Sequence, residues 1–458
     1  MRRAVKRAME RLRRPALLSA LALLAACANP SPGAPPSVPA APAPGATAPE
    51  AADLSMRENS SRYVIVALAN PLQRVPVRAA TSPAGYGAPP RYTTGMHAAT
   101  LVEQIAREHQ LVQAAAWPIP SLNVHCIVFE ILDSRPREEV LAALAKDDRI
   151  ALAQPLQDFS VQEQPTARTA DAAVAYNDPY APLQRGFIGT SAAQAHRVTT
   201  GRGTHVAVID TGAQTGHPDL QGRILETHNL VDDDAGAFQK DRHGTEVLGI
   251  MAATGNNLQG IVGMAPAARF SLYKACWYPA QPPGSGARCN SFTLAKALVA
   301  VMSSDARIVN MSLGGPSDPL LGQLLSQLVG QGRIIVAAVP AGGQRGGFPA
   351  GVPGVLAVDS AGAPRTPSPG GVLLAPGTDI LTLQPQGRYD FASGSSMAAA
   401  HVSGMVALLQ SVEPRLDRDT VERLLLRSEN QDGAQPAMVN AERALATISS
   451  SSPRFAAR

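Results

Sequence analysis

The stretch "THVAVIDTG" runs apolar without alternation, the pattern of a strand buried on both faces of a parallel sheet. "ARFSLYKAC", "ARIVNMSLGG", "GRIIVAAVP" and "GVLAVDS" repeat it, and helical stretches such as "SFTLAKALVAVMSS" separate some of them. This alternation restricts the region to an α/β fold with a mostly parallel central sheet. Ligands collect at the carboxyl ends of such strands, so Asp210, which closes "VAVID", stands in a working position.

The N-terminal part is organised differently. "MRRAVKRAMERLRR" carries seven Lys/Arg against one acid; taking its net +6 from the whole-chain +4 leaves about −2. The remainder is therefore not basic, and a nucleic-acid partner is not expected. The apolar run "PALLSALALLAAC" has the length of a secretory h-region and is too short to span a membrane. Residues 1–26 read as a signal peptide. The ending Leu24-Ala25-Ala26-Cys27 resembles the bacterial lipobox, which would make Cys27 a lipidated N-terminus; an ordinary cut near Ala26 is the plainer alternative. Residues 27–58 read as a Pro/Ala-rich tether. By the same resemblance, Ala28 after the cysteine directs the protein to the outer membrane of a bacterial envelope, and processing could later release it.

Residues 59–165 contain "RYVIVAL", a helical "AATLVEQIAREHQ", a strand near Leu111–Ala116, "NVHCIVFEI", a helix "PREEVLAALAKD" and "RIALAQP". Strand-helix-strand-strand-helix-strand is the order of a small ferredoxin-like α+β unit. Residues 166–176 lie in a polar, small-residue linker, 177–448 form the α/β domain, and 449–458 read as a disordered tail. Cys276 and Cys289 flank a Pro/Gly-rich loop that a disulfide would close, as suits an oxidising compartment. Cys126 sits in an apolar strand and reads as a buried thiol. The cysteines and nine histidines show no zinc-ligand spacing, so no metal is expected.

Three residues suggest chemistry. Asp210 ends a strand, His243 precedes the apolar helical pattern of "HGTEVLGIMAA", and Ser396 opens "GSSMAAAHVSGMVALL". A serine hydroxyl becomes nucleophilic when an imidazole takes its proton, and the imidazole needs a carboxylate to fix its tautomer. Each residue alone has a plainer role as a cap or turn residue. Together, "VAVIDTGAQTGHPDL", "HGTEVLGIMAA", "NMSLGGP" and "GSSMAAAHVSGMVALL" resemble the subtilisin-like serine peptidases (subtilases), in that family's Asp, His, Ser order.

The resemblance implies a subtilisin-like three-layer α/β fold, with residues 59–165 as an inhibitory and chaperoning propeptide that the enzyme cuts off. A parallel sheet folds slowly through non-local pairings, so a template beside it has a physical use. Carried over, Asp210 orients His243, His243 is general base and acid, and Ser396 is the nucleophile. Ser312, Leu313, Gly314 and Gly315 would pair with substrate as an added strand, and Gly347 would lie at the base of the pocket before the scissile bond. The Ser396 backbone N–H, at a helix N-terminus, would face the oxyanion.

Several positions depart from the family. Pro340-Ala341 stand where glycine and the oxyanion asparagine are usual, so a donor is lost at Ala341, with Gln344 as a nearby substitute. Glu246 replaces a second histidine, Ala400 a proline, and Ser395 a threonine. Calcium is frequent in the family, and "VDDD" (residues 231–234) is the acidic cluster to test; no other cofactor is implied. Expected partners are protein or peptide substrates, the propeptide and, through Cys27, a membrane. Two functions remain open: a self-processing serine endopeptidase, and an impaired relative that binds or inhibits. An esterase would need Gly-x-Ser-x-Gly, which "GSSMA" lacks.

Overall fold

The computed structural model describes residues 56–57, 59–70, 96–161, 176–280, 286–340, 345–361, 371–429 and 438–451. The signal segment, Cys27, Ala341, Gln344, the linker at 166–175 and residues 452–458 lie outside them.

Seven parallel strands form the central sheet: β6 (His205–Asp210), β7 (Ile224–Asn229), β8 (Arg269–Lys274), β11 (Ile308–Met311), β13 (Ile334–Ala338), β14 (Leu356–Ser360) and β15 (Val372–Ala375). Their spatial order is β15-β14-β13-β11-β6-β8-β7. From β6 the chain first fills one side of the sheet and then, through β11, the other. The crevice between the carboxyl ends of β6 and β11 is therefore the switch point at which such sheets hold ligands. Helices cover both faces, giving the three-layer arrangement expected. On one side α3 (Arg242–Ala252) and α6 (Ser395–Val412) pack with Val206 and Val208. On the other, α4 (Ser291–Met302) and α5 (Pro319–Gly330) pack with Ala207 and Ile209. The alternating residues of β6 feed two separate cores, which is why its sequence is apolar throughout.

The N-terminal unit has strands β1 (Tyr63–Ala69), β2 (Leu111–Ile119), β3 (Val124–Ile131) and β4 (Ile150–Pro155), with helices α1 (Met96–Glu108) and α2 (Arg137–Leu144). The sheet order β2-β3-β1-β4 is the one that the strand-helix order calls for. Val64, Val66 and Leu68 point to the unit's own helices, whereas Tyr63 and Ile65 join the cluster around α4 and α5. An antiparallel sheet normally leaves one face in water. This one is covered on the second face by the larger domain, so "YVIVALA" reads like a buried parallel strand.

Two differences from expectation follow. Met56 and Arg57, assigned to the tether, form a helical turn; Met56 is 2% exposed in the cluster shared with α4 and α5. The short segment "DFSV", not read as a strand, is β5 (Asp158–Val161). It lies between β12 (Leu313–Gly314) and β10 (Arg288–Asn290), in a sheet ordered β12-β5-β10-β9, where β9 is Cys276–Trp277. The antiparallel hairpin β16 (Ile380–Gln384) and β17 (Arg388–Ala392) and the helices α7 (Arg418–Arg427) and α8 (Ala441–Ser451) complete the domain. No described helix is long and apolar enough to cross a membrane.

Candidate active site

Asp210 and His243 meet because a close approach is possible beside them. A Cβ on Gly244 would fall 2.4 Å from the Gly212 carbonyl oxygen, so only glycine lets α3 press against the turn that follows β6. The Gly244 N–H donates to Thr211 Oγ1 at 2.9 Å. His243 Nδ1 then lies 2.7 Å from Asp210 Oδ1, with both side chains buried. The Thr211 N–H also donates to that oxygen. A carboxylate held this way fixes the imidazole tautomer with hydrogen on Nδ1 and leaves Nε2 as the basic nitrogen. His243 belongs to the first turn of α3 and does not precede it, and its N–H donates to the Tyr278 hydroxyl at 3.0 Å.

Ser396 occupies the first turn of α6, after Gly394 with φ 148°. Its hydroxyl donates to the Ser312 carbonyl at 2.9 Å, while the Ser312 hydroxyl donates to the Ser396 carbonyl at 3.1 Å. The neighbouring Ser395 serves structure: its hydroxyl donates to the Val339 carbonyl at 2.7 Å. Behind Ser396, Asn310 Nδ2 donates to Ser312 Oγ at 3.0 Å, and Ser403 Oγ donates to Asn310 Oδ1 at 2.9 Å. Ser396, Ser312, Asn310 and Ser403 are all fully buried. Sequence reasoning passed over Asn310 and Ser403. The available signal was a lone polar residue inside each of two apolar runs, "ARIVNMSL" and "AHVSGMVALL".

The strand β12 is occupied. Leu313 pairs with Val161 and Gly314 with Ser160, both antiparallel, while β10 pairs with β5 on the other side through Arg288–Ser160, Cys289–Phe159 and Asn290–Asp158. The Phe159 ring lies against Gly315, where a Cβ would stand 2.2 Å from it, and it meets Phe348 edge-on with centroids 5.6 Å apart. Gly315 exchanges backbone hydrogen bonds with Phe348 at 2.9 and 3.1 Å. Gly347 has φ 69° and leaves no room for a Cβ against the Gly315 carbonyl, a backbone reason for glycine independent of any pocket. Cys276 and Cys289 are disulfide-bonded, tying β9 to β10, the strand that flanks β5.

In the acidic cluster at 231–234, Asp232 and Asp234 are engaged by the protein's own donors. Asp234 Oδ1 accepts the Gly236 and Ala237 N–H groups, and Asp232 accepts from Asn229 Nδ2 and the Asp234 N–H while pairing with Arg57. Among the described residues no group of three or more His, Cys, Asp or Glu side chains could hold a metal ion. Glu246, at the second-histidine position, accepts from Gln384 Nε2 at 2.6 Å. Near the site, Asp241 forms a buried ion pair with Lys274 and accepts the Gly212 N–H; burial raises its pKa above the usual carboxylate range, opposed by Lys274.

A parallel α/β sheet with a buried aspartate-histidine pair at its switch point, and a serine opening a buried helix nearby, defines the serine-peptidase class of site. The Subtilase family (peptidase S8) profile matches residues 201–443. A thermophilic serine proteinase of Bacillus sp. (strain AK1) is 32% identical over 333 residues, covering 70% of this chain and 79% of that protein. Thermitase of Thermoactinomyces vulgaris is 33% identical over 244 residues, 51% of this chain and 85% of its own. The crystal structure of fervidolysin, a keratinolytic enzyme from Fervidobacterium pennivorans, superposes with a TM-score of 0.64 at 19% identity, covering 84% of this chain and 60% of that one. The chain belongs to the subtilase family and is a serine-type endopeptidase acting on proteins or peptides.

Proposed function

We propose that this endopeptidase is made as a self-inhibited precursor that cuts its own chain just after β5. The single observation that carries the reading is β5 itself, an added strand on β12 that runs toward Ser396. Val161, the last described residue of β5, pairs with Leu313, next to Ser312, whose carbonyl receives the Ser396 hydroxyl. The proposed cut falls one residue beyond that pair, at Gln162–Glu163, ahead of the linker at 166–176 where the sequence alone would put it. On this reading the inhibitory propeptide, expected over 59–165, ends at Gln162, and Phe159 is the side chain that seats the strand.

In this mechanism the Ser396 hydroxyl turns from the Ser312 carbonyl to His243 Nε2, gives up its proton and attacks the scissile carbonyl carbon. Asp210 stabilises the imidazolium, which then protonates the leaving amine as the C–N bond breaks. Water, deprotonated by His243, releases the acyl group and regenerates Ser396. The tetrahedral oxyanion is held by the Ser396 N–H and the positive end of α6, without an asparagine at Ala341. Gly347 and residues 312–315 line the substrate path. The precursor is anchored in the bacterial envelope through lipidated Cys27, and the cut separates that anchor from the catalytic domain.

The test compares the full chain with its Ser396→Ala variant after purification. Conversion to two fragments, with peptide hydrolysis appearing as the smaller one dissociates, is expected only with Ser396 present. An intact, inactive wild-type chain would overturn the reading.

A further inference from the structure

Arg57 is no part of β5, yet it is received by a built site on the catalytic domain. Its Nη1 stands 3.3 Å from Asp232 Oδ2, its Nη2 donates to the Val231 carbonyl, and its guanidinium carbon sits 5.9 Å from the centre of the Trp277 ring. Carboxylate, carbonyl and aromatic face are three complementary partners for one planar cation. The pair is more than a loose surface contact, since the Arg57 side chain is 12% exposed and Trp277 8%.

The receiving groups are held by the catalytic domain alone. Asn229 Oδ1 accepts the N–H groups of Val231 and Asp232, Asn229 Nδ2 donates to Asp232 Oδ1 at 2.9 Å, and Lys296 Nζ holds the Leu230 carbonyl at 3.0 Å. Asp232 Oδ2 thus faces Arg57 from a turn set independently of Arg57. Trp277 is fixed through β9, paired to β10 and next to the Cys276–Cys289 disulfide. The site also borders a cavity of about 700 Å³ lined by Lys240, Asp241, Lys274, Tyr278 and Arg288.

We propose that Val231, Asp232 and Trp277 form a guanidinium-binding site and that Arg57 fills it as a second anchor of the inhibitory domain, separate from β5. The proposal rests on the reading of residues 59–162 as inhibitory. One strand, β10, lies between β5 and β9, the strand that carries Trp277, a separation of roughly 10 Å at two sheet spacings, so β5 and the clamp are distinct contacts. Met56, next to Arg57, is 2% exposed and belongs to the core cluster shared with α4 and α5, which fixes the arm beside the clamp. In the processed enzyme the vacated site takes an arginine side chain.

The experiment uses the full chain with Ser396→Ala, which keeps the domains joined, and Cys27→Ser. Cys126 is then the one free thiol; it is fully buried where the small sheet meets α4 and α5, so its labelling rate reports domain separation. Arg57→Ala and Asp232→Asn should each speed labelling about tenfold, as suits a partly dehydrated, charge-assisted contact, with no further gain when combined and partial rescue by Arg57→Lys. N-acetyl-arginine amide should speed labelling of the parent and leave the Asp232→Asn chain unchanged. Phe159→Ala should speed labelling in every background. Parent-like rates for Arg57→Ala and Asp232→Asn beside a faster Phe159→Ala would overturn the clamp and leave the inhibitory reading standing. An effect of only one of the pair would also overturn it. An unchanged Phe159→Ala rate would remove the inhibitory reading, and the proposal with it.

Discussion

Two polar seams cross the molecule, and they are built to different ends. Behind Ser396, the hydroxyls and amide of Ser403, Asn310 and Ser312 form a chain in a dry interior, with every partner inside one domain. Between the domains, Gln154 Nε2 donates to Asp318 Oδ1 at 2.8 Å, Gln154 Oε1 accepts the Leu320 N–H, and Trp117 meets Phe292 edge-on at 4.8 Å. Asp318 also caps α5 through Leu321 and accepts from Ser291, so it keeps partners when Gln154 departs. Opening the second seam hands its polar groups to water. Breaking the first strands them. The catalytic domain is therefore constructed to outlast separation. The small domain is not, because Tyr63, Ile65, Ile119, Cys126 and Val128 lose their apolar cover.

The largest effect that sharpens this comparison lies at the nucleophile. Ser396→Ala should lower peptide hydrolysis by about 10⁶-fold, the loss known for a subtilisin nucleophile, or more, because the variant also keeps its inhibitory domain. A second substitution would break the buried seam: Asn310→Ala should cost about 3 kcal/mol in denaturant unfolding, since it leaves two hydroxyl partners in a dry site, and should lower kcat more than it raises KM. The interior can also be probed by pH. Burial pushes His401 down to about 4, so the folded state keeps it neutral. As pH falls from about 6.5 toward 4, the unfolded chain takes a proton that the fold refuses, and stability should drop by about 3 kcal/mol, being fully retained above that window. Comparing thermal unfolding at pH 7 and 4.5 with a His401→Gln chain isolates this contribution; equal slopes would contradict it. The smallest change falls on the domain seam. Trp117→Ala should cost about 1 kcal/mol of domain association, seen as faster Cys126 labelling, with kcat/KM of the processed enzyme unaltered.

Much of the catalytic domain is legible in its sequence because strands buried on both faces are apolar throughout, and because Asp210, His243 and Ser396 sit in local contexts that do not depend on distant partners. The short β5 is different. "DFSV" has no pattern of its own and becomes a strand only through Arg288–Asn290 and Leu313–Gly314, each more than a hundred residues away. Arg57 was equally hidden, at the end of a Pro/Ala-rich stretch whose composition says only that no core forms there. The Asn310–Ser403 contact spans 93 residues, and neither residue carries a motif.

If β5 is a bound substrate strand, its pairing with Leu313 and Gly314 sets which bond is cut. The most direct test is the intact mass and N-terminal sequence of the processed domain, read at the first appearance of cleavage. A new N-terminus at Glu163 is expected, absent when Ser396 is alanine. A first cut elsewhere in the chain, or the same cut in the alanine variant, would contradict it.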